Sequence, residues 1–185
     1  MSEPEYTPPD LTLLGEDHIR AYRETGGEVG HLWNGAPTLL LTARGRRTGE
    51  PRTVALIYGT DGDDHPEAAP PGAAVAQAAR CEAARAGNTD HGGREQVSHP
   101  RTFLVVASMG GAPVHPQWYR NLVAEPRAEI QVRGDHLPVV ARTAAPDEKP
   151  RLWDIVRAVW PNYDTYQART DRDIPVVVLS PVTDG

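Results

Sequence analysis

Between Thr42 and Arg52 the sequence TARGRRTGEPR sets four arginines, Arg44, Arg46, Arg47 and Arg52, around Gly45 and Gly49. Guanidiniums this close repel one another unless an anion relieves them, and glycines let backbone N–H groups approach that anion. A phosphate or polycarboxylate ligand meets both conditions. The competing reading is a solvated hairpin tip whose arginines pair with nearby Asp and Glu. The segment alone does not decide between them, because neither a Walker loop nor a dinucleotide GxGxxG is present.

A second constellation is ASMGGAPVHPQWYRNL, residues 107 to 122. An apolar strand running into Ser108, then Gly110-Gly111, then a helix, offers N–H donors and a hydroxyl to a polar ring edge or an anion. Trp118 supplies a flat wall there, although Trp118 and Tyr119 also suit plain core packing. A third is WPNYDTY, where Tyr163 and Tyr166 stand three apart and share one face of a short helix. A phenol with a pKa of about 10 stays protonated at neutral pH, as a donor to developing negative charge must. Core packing is the competing reading for both tyrosines. The histidines show neither HxH nor HExxH spacing, and Cys81 with His65, His91 and His99 reads as surface residues of a loose loop rather than a metal site.

These groups need strands and helices to carry them. The sequence predicts a helix over His18–Arg23 ending at Gly26-Gly27, and a hairpin of Pro37–Thr42 and Thr53–Tyr58 that ends at Asp61-Gly62. Thr102–Ser108 is a further strand, and Pro116 opens a helix through Ala124. Ala128–Val132 and Leu137–Thr143 pair across a turn at Gly134-Asp135. Asp147 begins an amphipathic helix carrying Leu152, Ile155, Val156 and Val159, a tyrosine-bearing helix spans 162 to about 169, and Ile174–Leu179 is a last buried strand. The order lacks a repeated βαβ rhythm and fits an α+β fold, a small barrel flanked by helices. Residues 63–101 shift to Ala, Pro, Gly and His and read as an insertion in one domain, with a composition suited to disorder beyond an alanine-rich stretch at 75–85.

One domain suits 185 residues. The net charge of −6 argues against a general nucleic-acid partner. A single cysteine excludes an internal disulfide, and no apolar run approaches a membrane span. A cytoplasmic setting follows as the expectation, with contact at the inner face of the membrane left open. Lys149 is the sole lysine, so nearly all positive charge sits on guanidiniums, which suit paired contacts with phosphate or carboxylate, although coding bias produces the same preference.

Together the three constellations resemble the deazaflavin (coenzyme F420)-dependent nitroreductases and their relatives the F420-dependent quinone reductases, a family on the FMN-binding split β-barrel. The resemblance runs from about His18 to Tyr58, clearest in PTLLLTARGRRTGEPRTV, and from Thr102 to Pro181, including YQARTDRDIPVVVL. Residues 1–17 read as an N-terminal extension and 18–185 as the cofactor-binding domain. The resemblance implies hydride transfer from reduced F420, an 8-hydroxy-5-deazaflavin, to a quinone, nitroaromatic or conjugated carbonyl substrate. It implies that Arg46, Arg47 and Arg52 hold the cofactor's phosphate and acidic tail. Ala107, Ser108, Met109, Gly110 and Gly111 would line the ring, with Gln117 and Trp118 on its far side. Trp160, Tyr163 and Tyr166 would cap the substrate pocket, with Tyr163 first choice as proton donor and Tyr166 and Ser108 beside it. Met109 and Trp160 depart from the family's usual basic residue and tyrosine, so substrate preference does not carry over. Pairing as a homodimer is the family analogy. An FMN-dependent reductase on the same barrel and a non-catalytic cofactor or lipophile carrier are the alternatives.

Overall fold

The computed structural model describes residues 8–62 and 102–182, and the expectations for 63–101 fall outside them. The described strands are β1 (Leu32–Trp33), β2 (Ala36–Arg44), β3 (Pro51–Asp61), β4 (Thr102–Val106), β5 (Arg127–Val132), β6 (Asp135–Thr143) and β7 (Val176–Pro181). Six of them follow the order β2-β3-β4-β7-β6-β5, and β5 pairs back with β2, Leu41 opposite Ile130, to close an antiparallel barrel. Closure leaves no free edge in those six strands. Helices α1 (Gly15–Glu24), α2 (Gln117–Ala124), α3 (Lys149–Val159) and α4 (Asn162–Ala168) flank it, which is the split-barrel α+β architecture.

The strands look uniformly apolar in sequence because both of their faces are covered. Phe103, Val105, Val177 and Leu179 join Leu39, Leu41 and Ile130 in one core cluster. Their alternate neighbours Leu104, Val106, Val176 and Val178 meet Leu152, Val156, Trp160 and Tyr163 in a second. Successive side chains point to opposite faces, so burial of both erases the polar alternation. The sequence extends β4 to Ser108 and starts β7 at Ile174, whereas the ladder ends with Val106 opposite Val176. Beyond it the Ala107 N–H still bonds the Pro175 carbonyl at 3.0 Å, but proline has no N–H to return the bond.

Helix α1 begins at Gly15 rather than His18, and Glu16 and Asp17 in its first turn favour that start through the helix dipole. Its buried face presents His18, Ile19 and Tyr22. The Tyr22 hydroxyl donates to the Thr38 carbonyl at 2.9 Å and accepts the Arg133 N–H at 2.8 Å. With its one proton committed to Thr38, it must receive the 3.1 Å bond from Nδ1–H of His31. This hub pins the β5–β6 turn at Arg133-Gly134, with Val132 opposite Asp135 and Arg133 at φ 56°. The turn therefore sits one residue before the Gly134-Asp135 position read from glycine alone.

Burial holds the His31 pKa below the ordinary histidine value, and the nearby Arg133 charge adds to the effect. The unfolded chain thus binds a proton just below pH ~6.5 that the folded chain refuses. Stability is expected to be complete above that pH and to fall as pH drops through it. Thermal unfolding from pH 8 to 5 checks this, and His31→Gln should flatten the dependence.

Candidate active site

A cleft of about 410 Å³ opens between α1, β1, β3, the loop after β4, the start of α2 and α4. That volume suits a small-molecule site. Leu14, His18, Trp33 and Thr38 line one part of it, and Val54, Ala55, Leu56 and Ile57 of β3 another. Ser108, Met109, Gly110, Pro116, Gln117, Trp118, Trp160, Tyr163 and Tyr166 complete the wall. The Trp33 and Trp160 rings lie 5.8 Å apart at 40°, so much of the lining is flat and apolar.

The loop after β4 is held in an uncommon backbone shape. Ser108 is right-handed, and Met109, Gly110 and Gly111 follow with φ of 49°, 66° and 85°. Glycine takes this region freely, whereas Met109 carries strain of order 1–3 kcal/mol. The Gly111 N–H bonds the Ser108 carbonyl and the Ala112 N–H the Met109 carbonyl. A Cβ on Gly111 would lie 2.6 Å from the Tyr166 carbonyl oxygen, so the loop and α4 touch backbone to backbone.

At the β2–β3 tip, Gly45 donates to Glu50 and Gly49 to Gly45, with Gly49 at φ 72°. Arg46 leaves this turn towards α2. Its Nη1 donates to Gln117 Oε1 at 2.8 Å and Asn121 Oδ1 at 3.2 Å, and its backbone N–H also reaches Asn121 at 3.3 Å. Partial burial lowers the Arg46 pKa, with the positive charges of Arg120 and Arg47 acting in the same direction. The group stays a cation at any working pH. Among the described residues, no carboxylate forms an ion pair with Arg46, Arg47 or Arg52.

Tyr163 is buried, and burial raises its phenol pKa well above the usual value, with Tyr166 adding to the shift. The two rings meet edge to face at 6.2 Å, and Trp153 packs on Tyr163 from the other side. Both phenols line the cleft, and among the described residues neither hydroxyl has a hydrogen-bond partner. The arrangement offers two phenol O–H groups to a molecule in the cleft.

The structure thus gathers Ser108, Met109, Gly110, Gln117, Trp118, Trp160, Tyr163 and Tyr166 around one cleft. Ala107 is fully buried behind it and Gly111 is packed beneath α4. Arg46 reaches the cleft through Gln117, whereas Arg47 in the β2–β3 turn and Arg52 at the start of β3 are exposed and do not line it. Sequence reasoning missed Asn121, which a helix places one turn after Gln117 and which that spacing could have revealed. It also missed His18 and Trp33, which come from α1 and β1, and Arg172, whose guanidinium bonds carbonyls 60 and more residues away. No local pattern signals those three.

The family model for F420H(2)-dependent quinone reductase matches residues 15–77 and 82–181. The F420H(2)-dependent quinone reductase Rv1261c of Mycobacterium tuberculosis is 36% identical over 167 residues, covering 88% of this chain and 87% of its own. Among solved structures, the F420-H2 dependent reductase FDR-A aligns with a TM-score of 0.52 at 27% identity, over 77% of this chain and 93% of that one. A protein described as a domain-swapped dimer aligns with a TM-score of 0.54 at 26% identity, over 88% and 97%. Sequence and fold agree: this chain belongs to the F420H(2)-dependent quinone reductase family.

Proposed function

We propose that this chain carries a hydride from reduced coenzyme F420 to a quinone, with nitroaromatics and conjugated carbonyl compounds as further acceptors. One observation carries the reading: Gln117 stands in the wall of the apolar cleft and also holds Arg46, so a flat slot and a cation cluster meet at one side chain. A planar redox molecule with an acidic side chain needs both. The fit is supported by the crowding of Arg46 against Arg120 and Arg47 without a carboxylate counter-charge among the described residues. An external phosphate or carboxylate would supply it. FMN carries a phosphate too, but the family's cofactor favours F420.

Arg46, Arg47 and Arg52 would hold the acidic part of the cofactor. Ser108, Met109 and Gly110 would line its ring, with Gln117 and Trp118 opposite and Ala107 and Gly111 supporting the loop from behind. When bound, F420 supplies the hydride, and the protein orients the partners and excludes water. Trp160, Tyr163 and Tyr166 would bound the acceptor pocket. As the acceptor gains negative charge, the Tyr163 hydroxyl donates a proton to its oxygen, while Tyr166 and Ser108 supply hydrogen bonds. A homodimer and a cytoplasmic setting complete the proposal, supported by the domain-swapped neighbour and by the family. No described helix is long and apolar enough to cross a membrane.

Mixing the protein anaerobically with reduced F420 and a panel of quinones, nitroaromatics and enones tests the assignment. Oxidised F420 should accumulate only when an acceptor is present, and binding without turnover would mark a carrier instead. Within the same assay, Tyr163→Phe should lower turnover about 10²–10⁴-fold and leave F420 affinity near that of the wild type. Because the phenol's pKa is raised, the wild type should show no alkaline loss of turnover from this group up to pH ~10.

A further inference from the structure

We propose that Arg172 is the positioning residue of this site: its guanidinium locks the backbone of residues 107–112 against α4 and so sets the cofactor shelf relative to Tyr163 and Tyr166. The inference rests on the F420 reading for what the shelf holds, but the lock itself is a property of the protein alone.

Arg172 lies in the irregular stretch between α4 and β7, and its side chain runs back to the loop after β4. Nε and Nη2 donate to the Ala112 carbonyl at 3.2 and 3.1 Å. Nη1 and Nη2 donate to the Ala107 carbonyl at 3.2 Å, and Nη2 also reaches the Ser108 carbonyl at 3.1 Å. The remaining contact is Nη1 to His115 Nδ1 at 3.0 Å. An arginine has no acceptor, so Nδ1 must be the unprotonated nitrogen and His115 neutral. Flanked in sequence by Asp171 and Asp173, Arg172 forms an ion pair with neither, and Asp173 takes Lys149 instead. The whole fork is therefore committed to one loop.

The consequence follows from peptide geometry. Every peptide bond described is trans, so each carbonyl points opposite to the N–H of the next residue. By drawing the carbonyls of Ala107 and Ser108 to itself, Arg172 turns the N–H groups of Ser108 and Met109 away from itself. Arg172 does not line the cleft, whereas Ser108 and Met109 do. The same bonds hold Met109 in its strained left-handed shape, and they keep Gly111 seated on the Tyr166 backbone. One side chain thus fixes both the direction of the shelf's donors and the spacing from shelf to phenols. A lysine could bond one or two of these carbonyls, but not the spread that a planar fork spans.

The test compares wild type, Arg172→Ala and Arg172→Lys in two states. In the protein without cofactor, amide hydrogen exchange at Gly111 and Ala112 should speed up at least tenfold in Arg172→Ala, about 1.4 kcal/mol of lost protection, while the amides of Leu41 and Val105 keep theirs. With F420, the dissociation constant should rise at least tenfold, and the single-turnover rate of hydride transfer should fall at saturating cofactor. Arg172→Lys should recover only part of each loss. If Arg172→Ala fails to fold, Arg172→Lys is read alone, and at least a threefold change in both exchange and affinity is expected. Wild-type exchange, affinity and transfer rate in a folded variant would overturn the proposal. Failure of the wild type to bind F420 would instead remove the functional reading and leave the exchange result to decide the lock.

Discussion

Exchanging Arg46, Arg47 and Arg52 together for alanine is expected to weaken F420 binding about a hundredfold or more while the barrel stays folded. Arg46 should carry most of the effect. It is partly buried, oriented by Gln117 and Asn121, and lacks a carboxylate partner among the described residues, so a bound anion would meet a prepared cation. Charge-assisted hydrogen bonds from a guanidinium to phosphate or carboxylate are roughly twice as strong as neutral ones, and Arg46 is already oriented to make them. Arg47 and Arg52 are exposed, where solvent screening reduces an ion pair to about 0–1 kcal/mol. A hundredfold loss corresponds to roughly 2.8 kcal/mol for the three arginines together. Thermal unfolding should move little, since removing three like charges from one turn relieves repulsion as it removes bonds. Wild-type affinity should fall steeply with salt and the triple variant's only weakly, because screening acts on charges the variant lacks. Titration at low and high ionic strength, beside a melting curve, checks both parts.

The second large effect is expected from Gly111→Ala, and it falls on stability and turnover together. A Cβ there would lie 2.6 Å from the Tyr166 carbonyl oxygen and 2.9 Å from Arg169 Cβ, at φ 85°. The nearest obstacle is backbone and cannot rotate away. The left-handed conformation costs an L-residue roughly 1–2 kcal/mol before any clash, and displacement of the loop or α4 adds more. About 3 kcal/mol at 2–4 °C per kcal/mol lowers the melting temperature by roughly 6–12 °C. The loop carries Ser108 to Gly110 and α4 carries the phenols, so quinone turnover should fall further than stability alone explains. Gly110→Ala is the control. It shares a positive φ of 66° but meets nothing within 4 Å, so only the backbone cost of about 1–2 kcal/mol applies.

The parts of this site that were legible in the sequence are those whose chemistry is packed into short segments. TARGRRTGEPR announces a cation cluster, ASMGG a strand entering a glycine turn, and WPNYDTY a phenol pair, each within one turn or one element. The barrel's apolar strands were equally legible, and only their ends shifted. Pro175 stops the exchange of ladder bonds early, and the hub at Tyr22 moves the β5–β6 turn to Arg133-Gly134. What remained hidden depends on three-dimensional return of the chain. His18 and Trp33 enter the cleft from α1 and β1, and Arg172 bonds carbonyls far away in sequence. An arginine between two aspartates reads as a solvated surface charge, and nothing local shows that both acids are bypassed.

The most direct measurement is titration of the purified protein with F420 and, separately, with FMN, followed by the quenching of its tryptophan fluorescence. With Trp33, Trp118 and Trp160 lining the cleft, occupation of the slot should quench their emission. Saturable quenching by F420 that Arg46→Ala weakens is expected, with FMN binding at least tenfold more weakly. Tight FMN binding with no response to F420, or F420 binding unaffected by Arg46→Ala, would contradict the F420 assignment.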